Sequence, residues 1–279
     1  MSQNAIELYL ELMKKVLSFT LWGETGMPLE LYSHRKPFLR RIFLNALSLA
    51  LKSANLQAVK IKKNDPKKRD EGIIWPWQAH TMIGLKRLDN IQFCIENVLK
   101  NNIQGDLIET GVWRGGACIF MRAVLAAYQV ANRRVFVADS FEGLPEPDEN
   151  LYPEDKGHTL HREKILGVLK EEVEDNFRKY GLLDDQVVFL KGWFKDTLPS
   201  VPSEKFALIR LDGDMYESTM DAMTNLYSKL QAGGYCIIDD YALNSCKQAV
   251  DDFRLKNKIK EKIQTVDWSG VYWQKQKTA

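Results

Sequence analysis

In the first part of the chain the apolar positions recur every three to four residues. In AIELYLELMKKVLSFTLW, Ile6, Leu10, Met13, Leu17 and Leu21 fall on one face, which predicts an amphipathic helix. PFLRRIFLNALSLALKSA predicts a second, with Pro37 in its first turn. VKIKKNDPKKRDEG then mixes charges of both signs around a proline, the pattern of a solvated loop or, less often, of a docking patch for an acidic partner. It ends near Gly72, so the expected division is a helical extension over 1–72 and a second domain over 73–279.

Beyond residue 73 short apolar runs alternate with helical segments. HTMIGLKRLDNIQFCIENVLKN, GGACIFMRAVLAAYQV and the stretches 162–180, 217–231 and 245–258 predict helices. GDLIETGV, RRVFVADSF, DQVVFLKGW, KFALIRLDG and GGYCIIDDY predict buried strands. Strands alternating with helices imply an α/β fold, with a mostly parallel sheet covered on both faces. The chain closes with IQTVDWSGVYWQKQ, two strand-like runs around a WSG turn, which predicts an antiparallel hairpin.

Open parallel sheets bind ligands beyond the carboxyl ends of their strands. The first such end, LIETGVWRGGACI, carries Glu109 followed by Gly111, Gly115 and Gly116. Glycines there allow close backbone approach and room for the helix. The second end places Asp139, suited to a ribose diol. The third offers Gly192 and Trp193 as a backbone amide and an aromatic wall for an adenine, unless the indole is simply core. A nicotinamide dinucleotide would need a phosphate cradle, commonly G-x-G-x-x-G. The spacing here is G-x-x-x-G-G, and a carboxylate just before it suits the cationic S-adenosylmethionine (SAM) better.

The fourth and fifth ends carry Asp212 and Asp214, then Asp239 and Asp240. If these strands pair, about 4.8 Å apart, their carboxylates converge and repel unless a cation joins them. Oxygen-only ligation points to Mg²⁺, with Mn²⁺ or Ca²⁺ as alternatives. Asp212, Asp239 and Asp240 are the expected ligands. Asp212 is also the expected base, and Asp214 is expected to support the site or cap the helix that follows it. Otherwise all four acids only cap helices. His158 and His161, in or beside the long polar loop after the second strand, are candidate lid residues.

The chain has 279 residues and 45% hydrophobic content, enough for one large core. A net charge of +2 gives no general pull toward nucleic acid or a membrane. No apolar run approaches membrane-spanning length. The four cysteines form no C-x-x-C pair and are expected to be reduced thiols in the cytoplasm.

TMIGLKRLDN, ETGVWRGGACIFMRA, VADSFEGLPEPD, LKGWFKDTLP, IRLDGDMYESTMDAMTNLY, GGYCIIDDY and GVYWQ together resemble the TylF-type macrocin O-methyltransferase family. The resemblance implies a Rossmann-like class I methyltransferase fold, with seven strands of which the last is antiparallel. It implies SAM and Mg²⁺ as cofactors and a hydroxyl acceptor, typically a sugar on a natural product. SAM contacts then fall on Thr81, Met82, Glu109, Gly111, Trp113, Asp139, Ser140 and Trp193, with Asp212 beside them; Thr81 and Met82 come from the resemblance alone. Metal ligands fall on Asp212, Asp239 and Asp240. A homodimer is also implied. A metal-independent methyltransferase is the alternative, but it leaves the paired acids as costly neighbours. A catalytically silent partner subunit of the same fold is a third reading; it would be expected to lack the loop glycines or the acids, and both are present.

Overall fold

The structure, a computed structural model, describes residues 2–23, 25–33, 36–62 and 65–276. Helix α1 (Gln3–Leu17) starts on the Ser2 side chain, which accepts from the Ala5 amide, and buries Ile6, Leu10, Met13 and Leu17. The predicted face stops there. Ser18 donates its hydroxyl back to the Lys14 carbonyl, and Phe19 takes φ 58°, so Leu21 lies beyond the helix and is 47% exposed. The buried face of α1 packs in one cluster with α5 (Leu85–Lys100) and α6 (Gly116–Ala127).

Between them, β1 (Thr25–Pro28) pairs antiparallel with β2 (Val59–Lys62), and α2 (Leu29–Ser33) and α3 (Phe38–Ser53) lie between these two strands in sequence. Pro37 stands immediately before α3 rather than in its first turn. The charged run expected as a loop is partly ordered. Its start is β2, and its PKKRD forms α4 (Pro66–Asp70), because Asp65 accepts the Lys68 amide as an N-cap.

The main sheet has β3 (Asp106–Thr110), β4 (Val135–Asp139), β5 (Val187–Lys191), β6 (Phe206–Leu211), β7 (Leu230–Ile238), β8 (Gln264–Thr265) and β9 (Val271–Gln274), in the order β5-β4-β3-β6-β7-β9-β8. The five strands β3 to β7 are parallel, and β9 returns antiparallel beside β7. The expected α/β architecture with its terminal hairpin is therefore present. Helices α7 (Lys170–Lys179), α8 (Phe194–Thr197), α9 (Tyr216–Leu226) and α10 (Asn244–Lys256) complete it.

Other helix boundaries also differ from expectation, and the helix expected from His80 begins only at Leu85. The helix expected over 162–180 begins only at Lys170, after short 3₁₀ turns, because Gly167 is folded against the Glu142 carbonyl and the Ile165 carbonyl accepts from the Trp113 indole at 2.8 Å. The helix expected over 217–231 stops at Leu226, and β7 begins early at Leu230.

Register sets the site. Thr110 lies level with Ala138 and Leu211, and Leu211 with Ile238. The next residues out, Gly111, Asp139, Asp212 and Asp239, therefore leave the sheet side by side. Strand order reverses between β3 and β6, and that is where a crevice opens.

Candidate active site

A cleft of about 360 Å³ lies over this edge, within the roughly 300–1,000 Å³ typical of small-ligand sites. On its β3 side the chain turns sharply. Gly111 has φ 80°, and a Cβ there would sit 1.8 Å from the Asp212 carbonyl. At Gly116 a Cβ would meet the His80 carbonyl at 2.4 Å. The glycines were expected to make room for a ligand and for helix against strand. At these two positions the crowding atoms are instead backbone of β6's exit and of the segment before α5.

Asp139 accepts the amides of Val112 and Phe141, both at 2.7 Å. Oδ2 takes the Val112 amide and keeps a lone pair for another donor, while Oδ1 takes the Phe141 amide and, at 3.4 Å, the Ser140 hydroxyl. Burial pushes its pKa up despite these amides. Glu109 is fully enclosed. It accepts from Arg210 and, at 2.8 Å, from the Cys118 thiol. Burial raises its pKa, and Arg210 pulls it back.

The acids behave differently from one another. Asp212, Asp214 and Asp240 offer oxygens within 4.8 Å of one another. Burial first, and then the Asp239 and Asp240 charges, push Asp212 well above the carboxylate range. Burial, with Asp214 and Asp239, does the same to Asp240. Asp214 is raised to about 7 by burial and by Asp212. The Asp212 side chain is 27% exposed, but into the cleft rather than bulk solvent, so poor solvation still governs it. Asp239 goes the other way. Burial raises it, but Arg210 and Arg87 outweigh burial and hold it below its usual value. Arg210 bonds Asp239 Oδ1, and Arg87 donates to Oδ2 at 2.5 Å. Three carboxylates brought together with raised proton affinity are the donor set a hard cation fits.

Asp214 is not a helix cap. It takes φ 56°, and its amide donates to Asp240 at 3.2 Å. The cap of α9 is Asp155, which accepts the Tyr216 and Glu217 amides at 2.6 and 3.0 Å from the loop after β4.

Thr81, Met82, Glu109, Gly111, Trp113, Asp139, Ser140, Trp193, Asp212, Asp239 and Asp240 all line the cleft. Gly192 is outside the lining, and its amide instead donates to the Asp139 carbonyl at 2.9 Å. Trp193 is half-buried at the wall rather than in the core. His158 and His161 are outside the lining, which their neighbours Leu160 and Leu166 join. Sequence reasoning missed Arg87, Arg210, Trp75 and Trp268, which also line the cleft. Arg210 had a signal: a lone charge inside the apolar run FALIRL, a strand buried at every position.

The chain is similar to known proteins along almost its whole length. The family model for macrocin O-methyltransferase (TylF) matches residues 6–275. A demethyldecarbamoylnovobiocin O-methyltransferase from Streptomyces niveus is 48% identical over 96% of this chain and 93% of that protein. A Streptomyces olivaceus 4'-O-methyltransferase acting on an 8-demethyl-8-(2,3-dimethoxy-α-L-rhamnosyl)-tetracenomycin C is 46% identical over 98% and 94%. The solved structure of the O-methyltransferase NovP superposes with a TM-score of 0.83 at 46% identity, covering 98% of this chain and 100% of that one. The chain belongs to the macrocin O-methyltransferase (TylF) family of SAM-dependent O-methyltransferases.

Proposed function

We propose that this enzyme methylates a hydroxyl on the sugar of a natural product, with a divalent cation held by Asp212, Asp239 and Asp240. The relatives' acceptors support the first part. The observation that carries the second is the convergence of Asp212 and Asp240, with Asp214 close by, at the end of the paired strands β6 and β7. Asp214 is the competing third ligand, since Asp239 is already engaged by two arginines.

SAM, when bound, supplies a methyl group on a sulfonium, and the cation, when bound, supplies Lewis acidity toward the acceptor hydroxyl. The chain's own residues do the rest. Asp139 accepts the ribose hydroxyls, and Trp113 and Trp193 wall the cofactor. Trp75, Trp268, Leu144 and Leu160 offer an apolar and aromatic surface to the acceptor. Asp212, held at 3.1 Å by Arg210, takes the acceptor's hydroxyl proton. Alignment of two bound reactants supplies much of the rate.

The first test is Mn²⁺ binding, followed by electron paramagnetic resonance, to enzyme saturated with S-adenosylhomocysteine. Wild type is expected to bind and Asp212→Asn to bind far more weakly. Full retention by Asp212→Asn would sink the cation reading and bring the metal-independent mechanism forward. Comparing Asp239→Asn with Asp214→Asn identifies the third ligand.

A cytoplasmic homodimer completes the reading. No helix among the described residues is long and apolar enough to cross a membrane. Phe38, Leu39, Phe43 and Leu49 of α3 are each at least 65% exposed, an apolar face that a second copy would cover. Sedimentation giving only monomer would remove the dimer.

A further inference from the structure

A chain of buried ion pairs runs from the terminal hairpin into the acid site. In the turn between β8 and β9, Asp267 Oδ1 accepts the Ser269 and Gly270 amides at 3.0 and 2.7 Å. Its Oδ2 accepts from Arg87 Nε at 2.7 Å, and Arg87 Nη1 donates on to Asp239. The Ser269 hydroxyl donates to the Asp239 carbonyl at 2.8 Å. Asp239 continues through Arg210 to Glu109. Arg87, Asp239 and Asp267 are each at least 91% buried.

The turn also carries a wall of the cleft. Trp268 stands 5.6 Å from the Arg87 guanidinium, and its indole N–H donates to the Glu71 carbonyl at 2.9 Å, beside the cleft residue Gly72. The packing leaves little play, since a Cβ on Gly270 would lie 3.2 Å from Arg87 Nε. Buried pairs of this kind are poor sources of net stability, because desolvation offsets the attraction. Their use is geometric.

We propose that Arg87 and Asp267 are positioning residues that fix the Asp239 carboxylate and, through the same contacts, hold Trp268 against the cleft. The acid site and the hairpin wall therefore move as one unit. Losing Asp267 frees one edge of Arg87 and leaves its charge less compensated beside Asp239. Both effects weaken a cation there.

The inference rests on the cation reading for its first readout only. Mn²⁺ is titrated into the full chain saturated with S-adenosylhomocysteine. Asp267→Asn is expected to weaken Mn²⁺ binding about tenfold, as disrupting a ligand's supporting contacts commonly does, while unfolding cooperatively at a lower temperature than wild type. Affinity equal to wild type would overturn the proposal. Arg87→Lys, which keeps the charge but cannot span both carboxylates, is expected to weaken binding likewise, and it serves if Asp267→Asn fails to fold.

The second readout needs no metal. The Trp268 contribution to fluorescence is the difference between a protein and its Trp268→Phe variant. Asp239→Asn is expected to make Trp268 more accessible to acrylamide. An unchanged Trp268 signal would overturn the coupling. If wild type takes up no Mn²⁺, the cation reading fails by itself, and the positioning role is decided by this fluorescence result.

Discussion

Arg210 shows how one side chain organises a site. It is 1% exposed, yet it contacts Glu109, Asp212 and Asp239. A buried cation is tolerable only among carboxylates, and the carboxylates only around it. Arg210→Met is expected to destabilise the protein by about 3–5 kcal/mol, since it leaves buried acids unpaired. Urea denaturation checks this, and Arg210→Met with Glu109→Gln should recover part of the loss. A single variant within experimental error of wild type would mean that the acids are compensated elsewhere. At this scale the sequence was partly legible. Acids at strand ends announced themselves by position, whereas their partners did not. Arg87 lies 152 residues from Asp239 in the chain, and nothing in GLKRLDN ties it to the acids.

At the scale of elements, the β-strand ends meet because backbone packs on backbone. Gly111→Ala has no room beside the Asp212 carbonyl and must also hold a positive φ. It is expected to cost at least about 2 kcal/mol, read from thermal or chemical unfolding; an unaffected variant would mean that this turn relaxes freely. The start of α9 depends on a distant residue. Asp155→Ala removes the acceptor for two amides and is expected to cost about 1–2 kcal/mol. It should also loosen the loop after β4, seen as faster proteolysis between residues 141 and 168. Protection equal to wild type would show that the loop is pinned by other contacts, such as the Trp113 indole on the Ile165 carbonyl. The sequence suggested a cap at Asp214 because a neighbouring acid is the usual source. Only the folded loop reveals Asp155 in that role.

For the whole molecule, His80 joins three regions. Its amide donates to the Leu17 carbonyl, its carbonyl accepts the Gly116 amide, and its ring meets the Tyr180 hydroxyl at 2.6 Å. Burial first, then the charges of Lys179 and Arg114, lower its pKa to about 4. The folded state therefore resists a proton that the unfolded chain accepts near pH 6.5. Unfolded protein binds more protons between pH 6.5 and 4, so stability falls as pH drops through that window. Partial exposure reduces the effect to on the order of 1–2 kcal/mol. His80→Asn should flatten the difference between unfolding curves at pH 4.5 and 7. An identical pH dependence in both proteins would mean that the ring is solvated in the folded state.

The sequence by itself determined the layers of this protein. Short continuous apolar runs between turn residues read as buried strands, and three-to-four periodicity as covering helices, so the parallel sheet with its hairpin was legible from residue 106 onward. Strand ends marked Asp139, Asp212 and the Asp239–Asp240 pair for the same reason, since a carboxylate ends a buried run where the chain reaches water or a ligand, whereas Glu109 lies one residue inside β3 and is enclosed by Arg210 and Cys118. The tertiary structure decided what each acid does. It joined Asp212, Asp214 and Asp240, and gave Asp239 to Arg87 and Arg210. It also turned Trp268 from a hairpin residue into a wall of the cleft. Charge pairing acts across a few ångströms of space, and sequence order carries no record of which distant residues the sheet register will bring level.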